Sequence, residues 1–451
     1  MLQVRVDEDF ALSEDTFCKL RRNSPAGGWF PALQELSWCI TDFNFPYVAD
    51  LFFSPHLKKI TISASEHNIP LDTLPAIASI ISTLPASALQ LLQVDSRRST
   101  MPWAYFKDTL SSVALRCRPS LVGFISPTPL SEAAVNHLIQ LPRLRLWGVG
   151  GPPPSYSASS LPLVFPPLTG FILGEGAAHG WLSLFKSLDH NVSTTTGATP
   201  LSRVRESLIS LNVENTTSPI IDISFTSPIQ IFRNLVQLGV WDRCHVGGDN
   251  DQCAFKLNND NVAELAMALP RLVSLLLGHP CSKNTCATTA ACLLPISVHC
   301  INMGTLEIHF NTTNIVGDLA NISEDPRLQE LHSRPRCTLS RPRRTLSRLN
   351  VHQMPLTLDE PGLKIVANGM INIFPYLKQC VGDKRSWGKL SAKIADLRRT
   401  KLSVSVILGF LFTRYISEPH ATGDILTFTL TPADLNPSAT SIRFYRTIAR
   451  Y

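Results

Sequence analysis

The chain has 451 residues, 44% of them hydrophobic and 17% charged, and a formal net charge of +6. So apolar a composition excludes wholesale disorder, and so mild a charge over this length does not by itself require a nucleic acid or a membrane surface. The length exceeds one ordinary domain, which leaves either several cores or one internally repeated core.

At the N-terminus, MLQVRVDEDFALSEDTFCKL carries acids where an export signal has a basic start and an apolar run. The expectation is an intracellular protein, cytoplasmic or nuclear. From Phe30, the stretch FPALQELSWCI sets a spacing (Leu33, Leu36, Trp38) that the chain then repeats. It returns at Leu57, Ile60 and Ile62, at Leu89, Leu92 and Val94, more weakly at Leu121 and Phe124, and at Leu144, Trp147 and Val149. Later copies start at Leu168, Leu208, Leu235, Leu272, Met303 and Leu346, and Leu377 starts a twelfth. Successive first positions are about 23 to about 43 residues apart, and only the shorter spacings fall in the usual range of roughly 20 to 29.

In an extended segment successive side chains point to opposite faces, so the last two apolar positions of each copy point the same way. One strand cannot bury that face alone, but a ladder of them shares one continuous core. This is the strand pattern of a leucine-rich repeat. Between the strands, LDTLPAIASIISTL, WAYFKDTLSSVALRC, SEAAVNHLIQL and NNDNVAELAMAL place apolar residues three or four apart, as does FNFPYVADLFF, the spacing of a helix with one buried stripe. Many of the 33 prolines sit two residues before the first Leu of a strand, where proline ends a helix and fixes an extended continuation. Parallel strands lie about 4.8 Å apart and helices need roughly 10 Å, so the stack should curve with the sheet inside. The expected fold is α/β: a right-handed leucine-rich repeat solenoid, a ribonuclease-inhibitor-like horseshoe with a parallel concave sheet and outer helices. Its expected divisions are an N-terminal segment (1–29), the solenoid (30–380) and a C-terminal cap helix with an extension (381–451).

Two polar stretches, GPPPSYSASS from Gly151 and HNVSTTTGATP from His190, read as loops between repeats. SRPRCTLSRPRRTLSR, from Ser333 to Arg348, is a basic run without interleaved aromatics, which makes a nucleic-acid site unexpected. WGKLSAKIADLRRTKL reads as a closing amphipathic helix, and LSVSVILGFLF is too short to span a bilayer that needs roughly twenty apolar residues. The 11 cysteines are odd in number, and several of them (Cys39, Cys117, Cys300) lie in or beside apolar segments, as buried free thiols do.

Three constellations test for chemistry. Gly174, Gly176 and Gly180 loosely echo a dinucleotide-binding turn but belong to a repeat, where they let the chain turn. His279, Cys281, Cys286, Cys292, His299 and Cys300 gather soft ligands, yet not in the closely spaced pairs of a zinc site. No glycine-flanked serine elbow, phosphate-cradling loop or paired-His metal motif appears. The expectation is a protein that is not an enzyme and takes no cofactor or metal.

What remains is a surface. Residues flanking the buried positions of each strand should line the concave side in rows, among them Lys59, Thr61, Asp95, Asn212, Glu214, Trp241, Glu307, His309, Asn350 and His352. Mixed polar groups around an aromatic anchor suit the grip of a protein partner.

The irregular repeat lengths, the FPxLxxLxV strands and FPYLKQC followed by a Trp-Gly helix resemble the leucine-rich repeat portion of fungal F-box-type proteins, over roughly residues 30 to 395. That resemblance implies a substrate receptor of a cullin-based ubiquitin ligase, with the target held in the solenoid and an N-terminal F-box on a Skp-type adaptor. The first 29 residues show no recognisable F-box, which needs about 40 residues opening on a Leu-Pro pair. A ligase-independent scaffold or inhibitor using the same concave face therefore stands beside the ligase reading.

Overall fold

A computed structural model describes residues 2–6, 14–23, 29–40, 52–64, 69–95, 102–151, 165–174, 180–182, 200–215, 226–242, 256–278, 286–333, 346–351, 356–382, 386–400, 425–427 and 447–449. Its centre is one sheet of 13 strands, every neighbouring pair parallel and the strands in sequence order. The strands are β1 (Leu2–Val6), β2 (Leu33–Ile40), β3 (Lys59–Ala64), β4 (Leu91–Asp95), β5 (Gly123–Ser126), β6 (Leu146–Val149), β7 (Gly170–Leu173), β8 (Ser210–Asn215), β9 (Gln237–Asp242), β10 (Ser274–Leu277), β11 (Thr305–Ile308), β12 (Arg348–Asn350) and β13 (Gln379–Val381). Twelve of them begin at or just after the first apolar residue of a sequence copy. β1 is the thirteenth, so the sheet reaches into the N-terminal segment. Stacking one strand per unit in chain order is what a solenoid does.

Register follows the pattern residue by residue. Leu36 stands opposite Ile60, Ile60 opposite Leu92, Leu92 opposite Phe124, and the row continues through Trp147, Phe171, Leu211, Leu238, Leu275, Leu306 and Leu349 to Cys380. All of these side chains are buried in one cluster with the helices. Slipping any strand by one residue would turn its row to solvent, which is why the register holds over so many strands.

Parallel strands need crossovers, and helices supply most of them. They are α1 (Glu14–Arg22), α2 (Leu74–Ser82), α3 (Lys107–Arg116), α4 (Glu132–Ile139), α5 (Pro200–Ser207), α6 (Asn259–Ala268), α7 (Leu293–His299), α8 (Ile315–Glu324), α9 (Pro326–Ser333) and α10 (Glu360–Ile373). Several show the chemistry that starts a helix. Ser131, Asn258 and Asp359 accept from backbone N–H groups three residues on, and Asn261 returns the bond to Asn258.

The return from helix to strand is a repeated tight turn. Leu33, Leu57, Leu121, Leu144, Leu272 and Leu377 each donate N–H to the carbonyl three residues back, and a proline follows that carbonyl residue each time. Proline is favoured there because its fixed φ matches the second position of a type I or II turn. One residue further, a second ladder runs the length of the sheet, from Lys58 N–H on Gln34 O to Lys378 N–H on Ser347 O. Several of its carbonyls accept twice, as Gln90 O does from Val122 and Gly123.

A helix over 386–400 closes the C-terminal end, matching the amphipathic segment read from sequence. It buries Trp387, Leu390 and Ile394. Ser391 Oγ donates to Cys380 O at 2.7 Å and accepts from Cys380 N at 3.0 Å, which occupies the outer edge of β13. Arg398 reaches the carbonyls of Tyr376 and Leu377. An edge strand otherwise offers unpaired backbone groups to any other chain.

Ile425–Thr427 and Thr447–Ala449 form a separate antiparallel pair, β14 and β15. The expected loops at 152–160 and 190–199, most of the FNFPYVADLFF helix, the bulk of the basic run (334–345) and LSVSVILGFLF lie outside the described residues. Among those described, no helix is long and apolar enough to cross a membrane.

Candidate interaction surface

Each strand turns its inner row to the helices and two further rows away from them. The first outer row runs Glu35, Lys59, Leu91, Gly123, Leu146, Gly170, Ser210, Gln237, Ser274, Thr305, Arg348 and Gln379. The second runs Ser37, Thr61, Gln93, Ile125, Gly148, Ile172, Asn212, Gly239, Leu276, Glu307, Asn350 and Val381. Toward both ends these rows are mostly polar. In the middle they are not.

Over β4 to β7 aliphatic residues and glycines alternate like a checkerboard: Leu91, Gly123, Leu146 and Gly170 in one row, Ile125, Gly148 and Ile172 in the next. The glycines give up their volume to their neighbours. A Cβ on Gly123 would lie 2.5 Å from Leu91 Cδ1, one on Gly148 2.6 Å from Ile125 Cγ2, and one on Gly170 2.8 Å from Leu146 Cδ1. Each aliphatic chain therefore lies over the adjacent glycine, which makes a smooth apolar floor. Leu91, Leu146 and Ile172 remain half-buried, and Ile125 keeps 9% of its surface. Beneath this floor Trp147 packs edge-on to Trp181 at 5.1 Å and near Phe171 at 5.4 Å, a rigid aromatic support.

Polar groups frame the floor. On one side Lys59 Nζ is 2.6 Å from Glu35 Oε1, and Thr61 and Gln93 stand beside it half-buried. On the other, Glu307 bonds to Asn350, and burial raises its pKa above the usual carboxylate value against that bond and the charge of Arg348.

Of the ten residues expected on this face, Lys59, Thr61, Asn212, Glu307 and Asn350 belong to the two outer rows, and half-buried Asp95 lies at the end of β4 beside Ser63. Glu214 and Trp241 pair across β8 and β9, but their side chains, like all of His352, lie outside the described residues. His309 is a correction. It is fully buried, because β11 ends at Ile308 and the alternation stops there, with Phe310 buried directly after it. The apolar floor escaped the reading that treated flanking positions as polar. Its signal was present in GFIS, LWGV and GFIL, where apolar residues fall on both faces.

Of the glycine constellation, Gly176 lies outside the described residues. Gly174 donates N–H to Val149 O as a ladder member. Cys286, Cys292 and Cys300 are buried, and burial pushes the Cys300 thiol up to about 12 and Cys292 upward as well, away from the thiolate that metals and electrophiles need. His279 and Cys281 lie outside the described residues, and among those described no group of three His, Cys, Asp or Glu side chains is placed to hold a metal ion. Comparison with protein-family models and with curated proteins finds no match to this chain.

Proposed function

We propose that this protein is a protein-binding leucine-rich repeat solenoid whose open sheet face is the concave recognition surface. The strand spacing, the strict sequential order of the parallel strands and the helices joining them support that repeat type. The observation that carries the function is the checkerboard of Leu91, Ile125, Leu146 and Ile172 over Gly123, Gly148 and Gly170 inside a polar frame. An apolar centre within a polar rim is how protein interfaces divide affinity from specificity. Cofactor chemistry and catalysis have no part in this reading.

The partner is the target of an F-box-like ubiquitin-ligase receptor, of which this chain is the substrate-recognition part. A ligase-independent scaffold or inhibitor using the same face is the second reading. Affinity purification followed by mass spectrometry separates the two. Capture of a Skp-type adaptor with the target supports the ligase reading, a stable partner without adaptor supports the scaffold, and no specific partner contradicts both.

A further inference from the structure

We infer that the turns leading into β5 to β10 form a second interaction surface, which docks an acidic polypeptide segment. This surface is a rim of the sheet, separate from the open face, and the inference does not rest on the reading of that face.

The rim is arginine-rich. Arg118, Arg143, Arg233 and Arg271 are all exposed on its turns, and Glu206 is the one carboxylate among the described residues of these turns and the last helical turns before them. Part of this charge answers local structure. Cations at helix C-termini offset the macrodipole, as Arg116 and Arg205 do, and Arg116 and Arg145 donate to main-chain carbonyls. Arg118, Arg143 and Arg233 lie beyond the helix ends, and no carboxylate among the described residues pairs with them. Arg271 is held in place: its Nη1 donates to Asn234 Oδ1 at 2.7 Å, while Asn234 Nδ2 donates to Glu206 O at 2.8 Å.

The chemistry points to carboxylates on a polypeptide. Guanidinium forks match carboxylate geometry. Between the arginines the second ladder exposes aliphatic side chains, Ile209 at 44% and Val273 at 39%. Their main chains are tied into that ladder, which suits these short branched side chains to a flat apolar neighbour. Among the described residues of these turns no exposed aromatic ring stands to stack a base. From β5 to β10 is five strand spacings, about 24 Å, the span of roughly seven extended residues.

Fluorescence anisotropy on the full chain, with a labelled octapeptide alternating Glu and Leu, tests this. Binding should fall at least tenfold when Arg118→Gln, Arg143→Gln and Arg233→Gln are combined. It should hold when Lys107→Gln, Lys364→Gln and Lys389→Gln remove the same charge elsewhere. The corresponding Arg→Lys triple keeps charge and loses the forks, and should weaken binding by a smaller factor even if the Gln triple fails to fold. The inference is overturned if the wild type does not bind the peptide, if the two Gln triples weaken it equally, or if the Lys triple leaves it unchanged. Tighter, arginine-dependent binding of phosphatidylserine vesicles or an RNA oligomer would overturn it too, and would assign the rim to that ligand.

Discussion

Strands β4 to β7 and strands β11 to β13 share an inner row and differ on their outer rows. Inside, Leu92, Phe124, Trp147 and Phe171 correspond to Leu306, Leu349 and Cys380, all buried and in register. Outside, the middle carries Leu91, Ile125, Leu146 and Ile172 among glycines, whereas the end carries Thr305, Glu307, Arg348, Asn350 and Gln379 beside Val381. The inner row is what folding requires of every unit. A change confined to the outer rows has no cause in the inner one, which is why we propose the apolar floor as the contact surface.

Replacing inner residues should break both regions, but unequally. Trp147→Ala empties a site packed against Trp181 and Phe171 and should cost about 3–5 kcal/mol in urea denaturation. Cys380→Ala, at the end of the same row, should cost on the order of 1 kcal/mol. Equal losses would show that the aromatic support is not tightly packed.

The glycines sharpen the contrast. Gly148→Val drives a side chain into Ile125 and should cost about 1–3 kcal/mol. Gly304→Ala meets nothing nearer than 3.5 Å and should stay within about 0.5 kcal/mol.

At the capped end, Ser391→Ala strips both hydrogen bonds from the Cys380 main chain. A loss of about 1–2 kcal/mol and faster exchange of the Cys380 amide are expected.

The smallest effect is a pH dependence at Glu307. Its raised pKa means that the folded protein holds this proton more tightly than the unfolded chain does. That contribution is complete below the unfolded pKa and is lost as pH rises through the folded one. Glu307→Gln removes it, so the Tm of the variant relative to wild type should rise as pH climbs above the usual carboxylate range. A flat difference would contradict the assignment.

Most of the sheet was legible in the sequence because its inner row is a demand on residue type at fixed spacing. Leu33, Leu36 and Trp38 recur with that spacing whatever the loops between them do. β1 escaped because LQVRV places Leu2, Val4 and Val6 strictly two apart, without the three-residue step from Leu33 to Leu36 that marks the other units. Helices at Ile315–Glu324 and Glu360–Ile373 went unread beside the more regular ones. The site was less legible, for a physical reason. Which outer residues stand side by side depends on register between strands far apart in sequence, so Leu91 over Gly123 and Leu146 over Gly170 emerge only once the strands are paired. His309 shows the converse, since alternation projected past Ile308 fails where the strand ends.

The most direct test uses one outer row at two places. Leu146→Arg and Thr305→Arg introduce the same side chain, the first on the apolar floor and the second near the end of the ladder. With partners captured from cell extract by the wild-type chain and quantified for each folded variant, Leu146→Arg should lose the captured partner and Thr305→Arg should keep it. If both retain it, or both lose it alike, the floor is not the contact surface.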